Sequence, residues 1–275
     1  IPVLIDEKCS IFSIEDIIQN KECCSNKSFK NRFKRSVKKL LPELTLNPIS
    51  KRNYIKFERE ILSNKSEAIV LVLGGGVIGK GMEHILANPR LTFIETDVYF
   101  GPRTNLICDA HVLPFKDSSL DAVIIQAVLE HVVDPYRCVD EIFRVLNEDG
   151  VIYSETPFIQ QVHLGAFDFT RFTHLGHRRL FRWFSEIDSG PACGPAMALT
   201  WSYKYFLSSF SSSRLISKIL GFFAVLTSFW IIFLDYYLIK KPGSYDAASS
   251  YYFLGRKNKV SISDREIIKA YKGLI

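Results

Sequence analysis

None of the six cysteines, at 9, 23, 24, 108, 138 and 193, stands in a CxxC spacing, and two of them are adjacent. That pattern makes neither a disulfide framework nor a zinc site, and it reads as reduced thiols in a cytoplasmic setting. No internal repeat is visible. Ile1-Pro2-Val3-Leu4-Ile5 is too short for a signal-peptide core and has no basic flank before it. The chain opens at Ile1 without a methionine, so a fragment or a processed product is expected. No uncharged run reaches the roughly 20 residues that one bilayer crossing needs. The longest, Ile219 to Leu234, has about 16.

What is present is a chain of 275 residues with a formal net charge of +6 and 47% hydrophobic residues. That length suits one large α/β domain with additions, or two small domains. The mean hydropathy of +0.08 is high for a fully soluble enzyme, and the apolar excess is concentrated late in the chain.

Residues 1–53 form an N-terminal extension. Ser13 to Ile18 starts a short helix. Phe29, Phe33, Val37, Leu40 and Leu41 recur at helical spacing with Lys30, Arg32, Lys34, Arg35, Lys38 and Lys39 between them. Such a basic amphipathic helix suits an anionic membrane surface, and equally an ordinary solvated helix. One short basic helix supports nucleic-acid binding only weakly, and no nucleic-acid partner is expected. Residues 54–198 form the core, where strand and helix alternate as a parallel sheet requires. Strands are expected near 69–73, 92–96, 105–108, 121–126, 150–155 and 186–190. Helices are expected at 54–62, 79–87, 135–146 and 175–185. Asp134-Pro135 is a good helix start and Thr173 a plausible cap. Residues 199–245 break the alternation with a hydrophobic helical insert. Basic residues and aromatics flank its apolar run, as at a membrane interface. A helix or helical hairpin dipping into one leaflet is the favoured reading, against a single crossing and against a core helix of a soluble domain. Residues 246–275 hold a last strand, Ser250 to Lys257, ending in charge, and a tail.

Val70-Leu71-Val72-Leu73 reads as a buried parallel strand that breaks into Gly74-Gly75-Gly76-Val77-Ile78-Gly79. A glycine-rich strand-to-helix turn with an acid roughly 20 residues on is how an open α/β sheet holds a nucleoside-bearing cofactor. The glycines alone fit NAD, FAD and S-adenosylmethionine equally. The elements that follow are more selective: Asp97, Asp109-Ala110, Leu113-Pro114-Phe115, Asp117, Leu120-Asp121-Ala122-Val123, Leu129-Glu130-His131 and Glu141 to Leu146.

This ordered set resembles the class I S-adenosylmethionine-dependent methyltransferases, particularly the type 11 group. The resemblance implies a Rossmann-like α/β fold: a seven-stranded, mostly parallel sheet with an antiparallel last strand, here with the apolar insert added. It implies S-adenosyl-L-methionine as the cofactor, with Asp97 on the ribose and Asp109 and Ala110 at the adenine. Gly74, Gly75, Gly76, Gly79 and Gln126 complete the expected cofactor set. Glu95 competes with Asp97, which is preferred because strand two ends there. One departure is Val72, where the family usually carries an acid. Ile1 to Ile5 resembles the tail of a small zinc ribbon that precedes some of these methyltransferases.

A hydroxyl acceptor needs a base as well as alignment. His131 and His163 are the candidates, with Glu130 orienting His131 or contacting the cofactor. Asp168-Phe169-Thr170-Arg171-Phe172-Thr173 looks like the family's "DxxRFT" segment. Asp168, Arg171 and Phe158 are the candidate acceptor-binding residues, though Arg171 also suits a salt bridge to Asp168 that pins the loop. No metal site is read. The expected activity is O-methylation of a glycan or lipid-linked acceptor by an enzyme on the inner, cytoplasmic face of a membrane, peripheral or monotopic. The alternatives are a nicotinamide-dependent oxidoreductase and a cofactor-binding scaffold that has lost catalysis.

Overall fold

The computed structural model describes residues 1–19 and 42–274. The basic helix expected over 29–41 and the pair Cys23-Cys24 lie outside the described residues. Eight strands form one sheet: β1 (Val3–Leu4), β2 (Ala68–Leu73), β3 (Leu91–Asp97), β4 (Leu106–Cys108), β5 (Leu120–Gln126), β6 (Leu146–Pro157), β7 (Phe184–Cys193) and β8 (Ser250–Lys257). Their order is β1-β4-β3-β2-β5-β6-β8-β7. All neighbours from β4 to β6 run parallel. β8 enters antiparallel between β6 and β7. Order reverses between β2 and β5, which is the switch point where open α/β sheets bind ligands beyond the strand carboxyl ends.

Side chains of the central strands divide by parity. Val70 and Val72 of β2, with Ala122 and Ile124 of β5, face a core closed by Tyr54, Phe57 and Ile61 of helix α1 (Ser50–Leu62). Leu71 and Leu73, with Val123 and Ile125, face the opposite core. That side is closed by Cys138 and Ile142 of α3 (Pro135–Val145) and Leu180 of α4 (His174–Leu180). Burial on both faces is why these strands are continuous apolar runs. The caps form as the sequence requires: Asp134 accepts from the Arg137 amide and Thr173 from the Gly176 amide, both at 3.1 Å.

Three elements differ from the sequence expectation. The helix expected over 79–87 is reduced to α2 (Glu83–Leu86), because Gly81 takes a φ of +86°. The helix expected to reach 185 stops at Leu180, where the chain turns into β7. The sheet also carries an added edge, since Val3 and Leu4 pair with Ile107 and Cys108 of β4.

The insert starts earlier than 199. It is a helical hairpin of α5 (Pro195–Ser208) and α6 (Arg214–Ser228), continued by a 3₁₀ stretch at Phe229–Leu234 and a turn of helix at Asp235–Leu238. By length and composition Arg214–Leu238 is apolar enough to cross a membrane, yet its far end is tied back. The buried Asp235 carboxylate accepts from the Ala196 and Met197 amides at 2.9 Å, satisfying free donors at the α5 N-terminus. Both ends of the hairpin therefore meet at the domain, and the linking residues 209–213 lie at its far tip. Ile219, Phe222, Phe223, Leu226, Trp230 and Phe233 are exposed along it.

Candidate active site

Two cavities open at the carboxyl ends of the central strands and share Leu73, Gly74 and Ala127. One, of about 310 Å³, is lined by Gly74, Asp97, Asp109, Ala110, His131 and Phe12 among others. The other, of about 420 Å³, takes in Val72, Gly79, Gln126, Glu130, Glu155 and His163.

The turn after β2 depends on Gly74, whose φ is +73° and whose added Cβ would lie 2.3 Å from Val128 Cγ2. The Gly75 amide returns to the Thr96 carbonyl at 2.8 Å, and the Gly76 amide reaches Asp97 Oδ2 at 3.1 Å. Asp97 so bridges the turn and the end of β3. Burial raises its pKa, against the amides of Gly76, Tyr99 and Val98. Glu95 lies in neither cavity lining and pairs with Arg103 at 2.7 Å. Asp109 is buried. Its Oδ1 accepts from the His111 amide at 2.9 Å and from His111 Nδ1 at 2.6 Å, and its Oδ2 accepts from the Ser10 hydroxyl. Burial would raise its pKa, but the bonds from His111 and Ser10 outweigh it and hold it low. The His111 tautomer is fixed, because its Nε2 accepts from the Asp134 amide at 3.1 Å. Phe12, between Tyr99 and Phe167 with ring centroids 5.8 and 5.9 Å away, closes one side of this cavity.

Gln126 is fixed by accepting from the Tyr54 hydroxyl at 3.0 Å and donating to Glu155 at 2.8 Å. Glu155 also accepts from Asn47 at 3.1 Å and from Tyr153. Burial raises its pKa, against these bonds. Sequence reasoning missed Glu155, Asn47 and Ala127. Glu155 sits mid-pattern in a strand, and only its register opposite Gln126 brings it to the cavity. Ala127 holds a φ of 54° just after β5, a conformation costing a non-glycine residue roughly 1–2 kcal/mol.

His131 and His163 meet between the cavities, with Nε2 atoms 3.1 Å apart. Glu130 lies beneath them, wholly buried, and burial pushes its carboxyl pKa up to about 8. Burial lowers the His131 pKa, against its bond to the Phe167 carbonyl. Of the expected acceptor residues, Asp168, Arg171 and Phe158 line neither cavity. Arg171 is engaged with Asp168 at both terminal nitrogens and with the carbonyls of Gln160, Thr170 and Gln161. Asp168 also accepts from the His163 amide at 2.9 Å, so this pair pins the loop that presents His163. The Phe158 ring lies against Tyr251, 5.5 Å between centroids.

The donor set fits a nucleoside sulfonium. A glycine turn admits close backbone approach, one carboxylate ends β3, and a second follows β4 at the same cavity. Residues 87–154 match the family model described as a methyltransferase domain. No curated protein matches the chain. Similar solved structures include phosphoethanolamine N-methyltransferase 2 of Haemonchus contortus in complex with S-adenosyl-L-methionine, at 13% identity over 76% of this chain and 53% of that one, with a TM-score of 0.47. A SAM-dependent methyltransferase of Archaeoglobus fulgidus gives 15% identity over 76% and 94%, with a TM-score of 0.44. The 1,6-didemethyltoxoflavin-N1-methyltransferase of Burkholderia thailandensis gives 12% over 91% and 93%, with a TM-score of 0.45. At these scores the likeness is loose, and the domain match and sheet order carry the assignment. Residues 87–154 are accordingly a methyltransferase domain, set in a sheet of the mostly parallel, Rossmann-like kind. That domain marks the chain as an enzyme of methyl transfer, and the cavity holding Gly74, Asp97 and Asp109 suits S-adenosyl-L-methionine as the methyl donor.

Proposed function

We propose that the enzyme methylates an oxygen of a glycan or lipid-linked acceptor at a membrane surface. The observation that carries this reading is the exposed apolar hairpin whose first helix walls the larger cavity: Met197 and Trp201 of α5 line it, while α6 turns Ile219, Phe222 and Phe223 to solvent. A surface patch of this kind, with Lys204, Arg214, Lys218, Lys240 and Lys241 around it, suits an anionic membrane interface.

When bound, the cofactor supplies a methyl group already activated on sulfur. The protein's task is alignment, water exclusion and handling of the acceptor proton. Asp97 takes the ribose hydroxyls, and Asp109 and Ala110 flank the adenine. Gly74, Gly75, Gly76 and Gly79 let the backbone approach. Val72 leaves the larger cavity without the family's usual acid, and Glu155, held by Gln126 and Asn47, supplies a carboxylate to the same space. The acceptor enters along Met197 and Trp201, and its hydroxyl loses its proton at the Glu130, His131 and His163 cluster. Asp168 and Arg171 position His163 and do not touch the acceptor.

Flotation with phosphatidylglycerol vesicles tests the membrane reading. Burying an exposed Ile or Phe contributes roughly 1.5–3 kcal/mol. The double variant Ile219→Glu, Phe222→Glu is expected to lose at least about tenfold in vesicle partitioning while retaining S-adenosylhomocysteine affinity by calorimetry. Unchanged flotation of that variant refutes the docking surface.

A further inference from the structure

Three electron-pair donors meet at the junction of the two cavities with nothing to receive them. A carbonyl only accepts, so His131 Nδ1, 2.7 Å from the Phe167 carbonyl, carries the ring proton and Nε2 keeps a lone pair. His163 Nδ1 faces two acceptors, the Gln161 carbonyl at 3.3 Å and Asp168 Oδ2 at 3.5 Å, so its Nε2 keeps a lone pair too. These two Nε2 atoms are 3.1 Å apart. Glu130 Oε1 lies 3.6 Å from the first and 3.8 Å from the second. Glu130 has no exposed surface, and among the described residues neither of its carboxylate oxygens has a hydrogen-bond partner. An unpartnered buried polar group costs about 1–3 kcal/mol, more when charged. Two lone pairs aimed at each other add repulsion.

We propose that Glu130, His131 and His163 bind a divalent first-row transition-metal ion that ionises the acceptor oxygen. Two imidazoles and a carboxylate are a donor set for zinc, iron(II) or cobalt(II), whereas calcium and magnesium prefer oxygen ligands. Bonds of about 2.0–2.2 Å in tetrahedral array separate ligand atoms by roughly 3.3–3.6 Å. The three distances found straddle that range. The outer support is in place as well. Each ring's Nδ1 faces a backbone carbonyl, and Asp168, clamped by Arg171, backs His163. Three protein ligands leave positions open toward the larger cavity, where the acceptor sits.

The catalytic part of this inference rests on the methyltransferase reading. The acceptor hydroxyl binds an open position, and the cation lowers its pKa. The proton passes to water. The oxygen lone pair forms the bond to the methyl carbon as the carbon–sulfur pair goes to sulfur. Stripped of metal, the imidazoles regain their lone pairs and a slower base-assisted reaction remains.

Cobalt(II) titrated into the chelator-treated full chain is the probe. One ion per chain by mass spectrometry is expected, with visible d–d bands of nitrogen-ligated cobalt. Glu130→Gln should weaken binding by at least about tenfold. His131→Ala with His163→Ala should abolish the bands, while an unchanged thermal transition shows that the double variant is folded. Absence of bands in the parent chain, or bands that persist in the double variant, overturns the site and leaves a shared proton between the rings. Cobalt binding without S-adenosylmethionine binding keeps the site and overturns the methyltransferase reading. S-adenosylmethionine binding and turnover that are indifferent to chelation and cobalt overturn the site alone.

Discussion

Asp97 is held between two demands, a buried setting that favours its neutral form and amides that hold its charge. Hydrogen bonds to a charged group are worth about 1.5–3 kcal/mol. Asp97→Asn, which keeps an acceptor for these amides but loses the charge, is therefore expected to weaken S-adenosylhomocysteine binding by roughly 10- to 100-fold in calorimetry, with little change in the thermal transition. Gly74→Ala should do the opposite. Its φ of +73° and the Val128 methyl 2.3 Å from the new Cβ leave no room, so the fold itself suffers. A loss of at least about 1 kcal/mol in urea unfolding is expected. Residues of this kind are legible in sequence because one chemistry suits the position. Glu95 and Asp97 could be separated only by where β3 ends. The double duty of Arg171 was legible as an alternative, since Asp168 lies only three residues before it. Glu155 was not legible, because its role comes from pairing across strands.

At the scale of elements, α4 carries a titration built into its burial. His177 and His174 are buried, which lowers their pKa values to about 3 and about 4 from 6.5. The unfolded chain therefore takes up protons first as pH falls. The contribution is fully present above 6.5 and is lost progressively down to about pH 4, with a limiting slope of roughly 1.4 kcal/mol per pH unit for each ring. Glu130 runs the other way: its folded value of about 8 lies above 4.5, so its contribution is present below 4.5 and lost as pH rises toward 8. Urea midpoints measured from pH 4 to 6.5 should rise steeply in the parent chain. They should rise less steeply in a His174→Gln, His177→Gln variant. The central strands β2 to β5 were legible to within a residue, because two-sided burial demands unbroken apolar runs, whereas the polar-interrupted β6 and β7 run two to four residues past their expected ends. α2 was overestimated because a single positive-φ glycine at 81 outweighs the helical spacing around it. β1 is two residues long and owes its existence to the free edge of β4, which no local pattern announces.

At the scale of the whole molecule, a mostly parallel sheet with an antiparallel last strand was implied by the family resemblance, while the strand order and the fastening of the hairpin emerged only in three dimensions. α5 is fastened at four places. Asp235 holds its first amides, the Trp201 indole donates to the Leu44 carbonyl at 3.0 Å, Ser202 receives a bond from Gln161 at 3.0 Å, and the Tyr205 hydroxyl reaches the Val162 carbonyl at 3.3 Å. Gln161 and Val162 immediately precede His163. The apolar arm is thus a lever whose short end rests on the loop that carries a reactive imidazole. On the proposed docking surface, lipid pressing on the arm is expected to reset that loop, so the enzyme should idle in free solution and quicken on vesicles even with a water-soluble acceptor. Turnover measured with and without phosphatidylglycerol vesicles reads this directly. Tyr205→Phe, which cuts one of these fastenings, should blunt the acceleration without changing vesicle partitioning.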